Sequence, residues 1–422
     1  MTDHSVLLLA YGQSNAEAYP ARPSLRCDAF ADPRIVTFDD GHAFRGSLGR
    51  VPANRATALV PAAEAASKSS VMRVIQSFQT AAAARLLQKR GEGAPRLVIV
   101  RSEARGGRPL RGYVAKGERH VDGIISNADG SDSQILKNLV ETMRVSQRLT
   151  RERGAPLRRV IVNFLHGEAD RGAPGLVYRQ HLESLISRVA KEAAALEVTA
   201  NWLILDPAGT SSSGSGNAWP CRLAMRSVVD ARPDVHLIGA GYGYALDDTI
   251  HYSSESRALF GEHFGAAAAA LLARDAGTDR DLDWLLDAPR PPHAVIKGGS
   301  VELHLDGTED FELIAGISDP ALTVEGFSTS IAARCRVTEV IQTGLRSLRV
   351  VLNGEPATHD RAALNYAFQI LRPDATRTPL PLPAGRGGWR SVKALDSISL
   401  PGRRIHQWVP GFSIPFAEME RG

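Results

Sequence analysis

Cysteine is scarce: the 422-residue chain has only Cys27, Cys221 and Cys335. They stand too far apart for the paired or clustered spacings of a disulfide framework or a zinc site, so all three read as reduced thiols. No apolar run approaches the length of a membrane span. The chain begins Met1-Thr2-Asp3-His4 and enters an apolar run at once, without the basic segment, apolar core and cleavage site of a secretory leader. A cytoplasmic location is the expectation, with surface or particle association as the alternative. An excess of one charge is absent too. Fifty Lys and Arg nearly balance 46 Asp and Glu, leaving a net +4, too mild for a nucleic-acid binder, which needs a basic stripe and a recognisable module. What is left is an ordinary soluble composition, 43% hydrophobic and 23% charged, with length for more than one domain.

Chemistry first shows in Val6-Leu7-Leu8-Leu9-Ala10-Tyr11-Gly12-Gln13-Ser14-Asn15. A short, continuously apolar run that stops at a polar cluster holding one serine reads as a strand buried on both faces, delivering a nucleophile to a sheet's carboxyl edge. Gly12 permits a sharp turn and close approach to the backbone. These residues alone also fit a β-to-α turn in which Ser14 or Asn15 caps the next segment.

Two later clusters add to this. In Asp248-Thr249-Ile250-His251 an aspartate precedes a histidine by three residues. Such a carboxylate can orient the imidazole and stabilise its protonated form while the other ring nitrogen faces a serine from elsewhere. His166-Gly167-Glu168-Ala169-Asp170 closely follows the apolar run Val160-Ile161-Val162-Asn163, which places it beyond another strand.

On these blocks the sequence resembles the SGNH (GDSL-type) hydrolases, and within them the branch of sialate O-acetylesterases and acetylxylan esterases. Gly12-Gln13-Ser14-Asn15 matches that branch's first block, and Arg105-Gly106-Gly107-Arg108-Pro109-Leu110 looks like the second. The segment from His166 to Asp170 is similar to the third, with His166 where glutamine is usual, and Asp248 to His251 matches the last. The resemblance implies Ser14, Asp248 and His251 as catalytic residues. It implies Gly107, His166, Gln13 and Glu168 as the oxyanion and substrate-binding set. A histidine can donate to an oxyanion only from the nitrogen that carries its proton, and the competing reading of His166 is a satisfied buried ring that positions Glu168 or a loop. The implied activity is removal of O-acetyl groups from a carbohydrate through an acyl-serine, with no metal or organic cofactor. Two rivals stand beside it: a lipid or thioester acyl hydrolase, and a non-catalytic glycan-binding protein with a decayed hydrolase domain. Arg101, Arg105, Arg108, Arg111, Lys116 and Arg119 crowd the second block. They would favour an anionic O-acetylated glycan, with solvated surface arginines as the plainer reading.

Apolar runs at 97–100, 160–164, 202–205 and 235–238 alternate with helical spacings at 71–90, 131–147, 177–196, 218–231 and 254–274. That rhythm predicts parallel crossovers, hence a three-layer α/β/α sandwich with an open parallel sheet, flavodoxin-like, over residues 1–288. Residues 17–69 read as an insertion over the catalytic edge. The loop at 211–216 is rich in Ser and Gly but lacks the lysine of a phosphate-binding loop. After Arg290-Pro291-Pro292 short β-prone runs take over, predicting a β-sandwich accessory domain over 289–422 with a weak helix at 361–371. This part carries no catalytic motif. Tyr366, Trp389 and Trp408 read as core, with sugar stacking as the alternative. An oligomerisation or carbohydrate-binding role for it would rest on architecture alone.

Overall fold

The computed structural model describes residues 2–17, 25, 27, 30–39, 56–62, 78–88, 94–208, 219–248, 250–278, 280–318, 323–330, 334–356, 362–367 and 386–421. Its first part runs β1 (Thr2–Gly12), α1 (Ser14–Glu17), β2 (Ile35–Phe38), β3 (Leu59–Pro61), α2 (Phe78–Gln88) and β4 (Pro95–Ala104). A small hairpin follows, β5 (Tyr113–Ala115) and β6 (Arg119–Val121), then α3 (Gln134–Glu152), β7 (Leu157–Leu165) and α4 (Gly175–Ala195). The part ends with β8 (Thr199–Asp206), α5 (Trp219–Ala231), β9 (Val235–Ala240) and α6 (Ser254–Asp275).

β1 is the central strand of a seven-stranded sheet ordered β3-β2-β4-β1-β7-β8-β9. It is parallel to β4 on one side and to β7 on the other. Its unbroken apolar run is explained by burial on both faces. Leu7, Leu9 and Tyr11 join the core beneath α3, α4 and α5, while Val6, Leu8 and Ala10 join the core beneath α2 and α6. Each such leucine withdrawn from water is worth roughly 1.5–3 kcal/mol, so a charge at Leu8 would break the centre of the sheet. Helices lie on both faces and make the three layers that the spacing predicts. From β1 the chain builds β2, β3 and β4 on one side and, after α3, β7, β8 and β9 on the other. The carboxyl end of β1 is therefore the point where the winding reverses, the usual place of a ligand crevice in an open α/β sheet.

α2 and α6 cross closely because their facing residues are small. A Cβ on Gly261 would fall 2.5 Å from the Phe78 carbonyl oxygen, and one on Gly265 would fall 2.2 Å from that of Ala82. The alanine runs 81–84 and 266–270 serve this approach. Of the helix expected at 71–90 the described portion is Phe78–Gln88; the flanking residues lie outside the described set.

The segment 17–69 differs from expectation. Where described, it extends the sheet: β2 pairs in parallel with β4 at Ile35↔Val98 and Val36↔Ile99, and β3 pairs antiparallel with β2. Ile35-Val36-Thr37-Phe38 is a β-branched and aromatic run, short enough to be hidden by its polar flanks. Most of the segment, like the 211–216 loop, lies outside the described residues.

The C-terminal region is built from strands: β10 (His293–Lys297), β11 (Ser300–His304), β12 (Phe311–Leu313), β13 (Phe327–Thr329), β14 (Val337–Gly344) and β15 (Ser347–Leu352). It continues with β16 (Ala363–Tyr366), β17 (Trp389–Asp396), β18 (Arg404–Trp408), β19 (Phe412–Pro415) and β20 (Glu420–Arg421). They form sheets ordered β14-β15-β11-β10-β20, β12-β17-β18 and β13-β16-β19. Residues 363–366, expected within a weak helix, are a strand because β13 and β19 pair with them on either side. Tyr366 and Trp389 are fully buried and Trp408 is 7% exposed, which makes all three core residues. Among the described residues no helix is long and apolar enough to cross a membrane, and Cys27, Cys221 and Cys335 are free thiols.

Candidate active site

The turn after β1 is dictated by Gly12. Its φ is +144°, and a Cβ there would sit 1.9 Å from the Leu165 carbonyl oxygen at the end of β7. Backbone cannot yield to that clash, so only glycine lets the strand end here. Gln13 N–H donates to the same carbonyl at 3.1 Å, and Ser14 then opens α1, 7% exposed.

Ser14 Oγ lies 3.0 Å from His251 Nε2, and His251 Nδ1 lies 2.7 Å from Asp248 Oδ2. The nitrogen facing the carboxylate carries the proton, which leaves Nε2 to accept from the serine hydroxyl. Asp248 Oδ1 accepts from the N–H groups of Ile250 and His251 at 2.7 and 2.6 Å, so the aspartate shapes its own turn as well as orienting the ring. Partial burial works against its charge, but the His251 ring and these two N–H groups outweigh it and hold the carboxyl at about 2. The turn is closed behind His251: Asp247 N–H donates to the His251 carbonyl at 2.7 Å and Ser253 N–H to that of Ala245 at 3.1 Å.

The second block lies against the serine. A Cβ on Gly106 would be 3.4 Å from that of Ser14. Its N–H donates to Glu17 Oε2 at 2.6 Å, a buried carboxylate whose pKa is raised by desolvation against the pull of that N–H and of Arg105. Gly107 follows with φ +67° and open space where a side chain would be. Among the described residues nothing accepts from its N–H.

The third block stands behind the serine turn rather than facing a substrate. Gln13 Oε1 accepts from Ala169 N–H at 2.9 Å. Asn15 Nδ2 donates to Glu168 Oε1 at 3.0 Å and to the Ile250 carbonyl at 3.2 Å, while its Oδ1 accepts from Tyr252 N–H at 3.4 Å. Gln13 and Glu168 are thus positioned as braces of the turn, and burial raises the Glu168 pKa.

His166 is the correction. It is 1% exposed, with Nε2 3.1 Å from the Arg108 carbonyl and Nδ1 3.1 Å from the Tyr178 hydroxyl. The carbonyl can only accept, so Nε2 carries the proton and no N–H is left for an oxyanion. Burial pulls the ring down to about 4, which keeps it neutral. It acts as a satisfied core histidine that fixes the second block, where Leu110 N–H also donates to Asp170 at 2.7 Å.

The basic cluster divides. Arg101 is buried with Glu103 at 2.7 Å and over the Phe38 ring, Arg105 lies 3.6 Å from Glu17, and Arg108 donates to the Asp122 carbonyl at 3.1 Å. These three hold structure. Arg111, Lys116 and Arg119 are exposed on or beside the β5–β6 hairpin. Asn15 and Glu17 carry more of the site's architecture than their sequence suggested. Asn15 at least belonged to a motif; nothing local marks Glu17.

No family model matches the chain, and no curated protein matches it. Its fold does match solved structures. The carbohydrate acetylesterase XAC1771 from Xanthomonas citri is 16% identical with a TM-score of 0.55, over 97% of this chain and 80% of that one. NanS is 16% identical with a TM-score of 0.43 over 65% of this chain and 98% of its own. The Arabidopsis thaliana protein AT4G34215 is 14% identical with a TM-score of 0.41 over 64% and 98%. The likeness to XAC1771 spans both the α/β sheet and the C-terminal strands, and at this identity it is a likeness of fold.

Proposed function

We propose that the protein is a serine esterase that removes O-acetyl groups from a carbohydrate through an acyl-serine intermediate. The observation that carries this reading is the line Ser14 Oγ–His251 Nε2–His251 Nδ1–Asp248 Oδ2, with steps of 3.0 and 2.7 Å between residues. His251 takes the Ser14 proton as the oxygen attacks the ester carbonyl, Asp248 stabilises the imidazolium, and His251 returns the proton to the departing sugar hydroxyl. Water then attacks the acyl-serine with the same base, releasing acetate. The N–H groups of Ser14 and Gly107 receive the oxyanion, a class of contact worth about 3 kcal/mol per donor. The Gly106 N–H is engaged by Glu17, so Gly107 is the available member of the pair. No step uses a metal or organic cofactor.

The acetylated carbohydrate is the finer part of the proposal. Its support is the four-block resemblance together with a fold shared with an enzyme described as a carbohydrate acetylesterase, and fold alone is analogy. A negatively charged glycan is favoured by the exposed cations at 111, 116 and 119. The test is acetate release from a panel of O-acetylated glycans by the wild type and by Ser14→Ala, with fluorophosphonate labelling alongside. Acetate release and Ser14-dependent labelling in the wild type alone support the reading. Labelling with turnover only of long-chain esters or thioesters moves it to a lipid or thioester hydrolase, and no labelling moves it to a glycan binder.

A further inference from the structure

Arg257 lies in no motif. It sits near the start of α6, is 0% exposed, and points its guanidinium into the seam between the serine turn and the histidine turn. Nη1 donates to the Asn15 carbonyl at 3.0 Å and Nε donates to the Tyr252 carbonyl at 3.2 Å. Asn15 follows Ser14 and Tyr252 follows His251. One planar group therefore holds the backbone immediately after each member of the pair. A guanidinium has a rigid donor fork, so the two carbonyls are kept at the spacing the fork sets.

Such a residue is costly in a core. The effective penalty for burying an ion is several kcal/mol, and desolvation draws the Arg257 pKa down to about 10, against the pull of Asp247, Tyr252 and Asp248. It stays charged at neutral pH. The first turns of α6 bury Ser254, Ser256, Glu262 and His263 beside Ala258, Leu259 and Phe260, and among these residues Arg257 is the one that reaches both turns. Asn15 stitches the same two turns through its side chain, to Ile250 and Tyr252. Arg257 closes that stitch from the helix side.

We propose that Arg257 is a positioning residue that sets the Ser14–His251 separation by binding the backbone of both turns on one guanidinium. This rests on the esterase reading of the site. The test compares wild type, Arg257→Lys and Arg257→Met by kcat and KM on 4-nitrophenyl acetate, by the rate of fluorophosphonate labelling, and by thermal unfolding. Arg257→Met is expected to lose about 10–100-fold in kcat and in labelling rate, the scale of a misplaced reacting group, with KM little changed. Arg257→Lys keeps the charge but not the fork, and is expected to recover part of the loss. If Arg257→Met does not fold, Arg257→Lys decides: a folded lysine variant with wild-type kcat and labelling overturns the proposal. So does a loss of kcat that only tracks the folded fraction, or one matched by an equal rise in KM. A wild type that neither hydrolyses the ester nor takes the probe overturns the esterase reading and this proposal together, whereas an active wild type with indifferent variants overturns this one alone.

Discussion

The α/β sheet and the C-terminal strands bury different things. Around the carboxyl ends of β1, β7 and β8 the interior holds Glu17, His166, Glu168, Asp206 and Arg257, none more than 5% exposed. The C-terminal interior packs aliphatic side chains around a cluster of rings: Phe327 and Phe412 lie 4.6 and 5.2 Å from Tyr366, and Trp389 meets it edge-on at 6.3 Å. Its buried cation Arg386 is laid over the Trp408 ring at 4.6 Å. Aromatic burial stabilises outright, whereas buried charges roughly break even at best. The first region thus holds a geometry that stability does not explain, and the second holds a core.

The two meet directly behind the histidine turn. The Tyr242 hydroxyl donates to the Val409 carbonyl at 2.5 Å, Arg222 pairs with Asp206 and donates to the Ala367 carbonyl at 2.8 Å, and Gly243 packs on Trp408. On the other side, Glu262 of α6 accepts from Ser397 and from Ile398 N–H at 2.7 and 2.8 Å. These contacts predict that function and core are separable by mutation in each region's interior and coupled at this seam.

The largest effect is expected from Asp248→Asn, which removes the charge that fixes the His251 tautomer: kcat for acetate release should fall by roughly 10³–10⁴-fold while the melting temperature stays near that of the wild type. Undiminished turnover would erase the distinction between the regions. Trp389→Ala is the mirror experiment. Denaturant unfolding should show a loss of about 3–5 kcal/mol, with turnover per folded molecule unchanged; a fall in that turnover would give the C-terminal core a role in the chemistry.

His166→Gln sharpens the comparison through pH. The buried ring titrates at about 4 against an ordinary 6.5, so the unfolded chain takes up its proton first, and stability is lost as pH falls from about 6.5 toward 4. Asp170, raised to about 6 by burial against the pull of the Leu110 N–H, acts in the opposite sense, losing stability as pH rises from the ordinary carboxylate range to about 6. His166 Nε2 stands 3.7 Å from Asp170 Oδ2, so the difference between variant and wild type contains the histidine and its coupling to that carboxylate. Glutamine should flatten the histidine's share, on the order of 3 kcal/mol across that window, and leave turnover at neutral pH intact. A collapse of turnover would show that the contacts of His166 with the Arg108 carbonyl and the Tyr178 hydroxyl hold the second block in its working geometry. Gly243→Ala is expected to have the smallest effect, about 1–3 kcal/mol of overpacking, because its new Cβ would stand 2.3 Å from Trp408 Cδ1. It should lower both stability and turnover, and Trp408→Leu in the same chain should restore turnover; independent effects would show that the seam does not couple the regions.

The apolar run of β1, ended by Gly12 and Ser14, and the Asp-x-x-His spacing were legible because strand burial and a three-residue turn are local matters, written in neighbouring residues. The alternation of helices and strands likewise announced a parallel sheet and a strand-rich C-terminal region. What the chain by itself left open was decided by contacts between distant segments. β2 became a sheet strand because β4 offered an edge, 363–366 became a strand because β13 and β19 paired with it, and His166 turned inward because the Arg108 carbonyl and the Tyr178 hydroxyl occupied both its nitrogens. The brace from Arg257 to Asn15 spans 242 residues of sequence. No local pattern encodes such a contact, since its partners are backbone carbonyls that every residue carries, and only the placement of α6 against the serine and histidine turns selects which two they are.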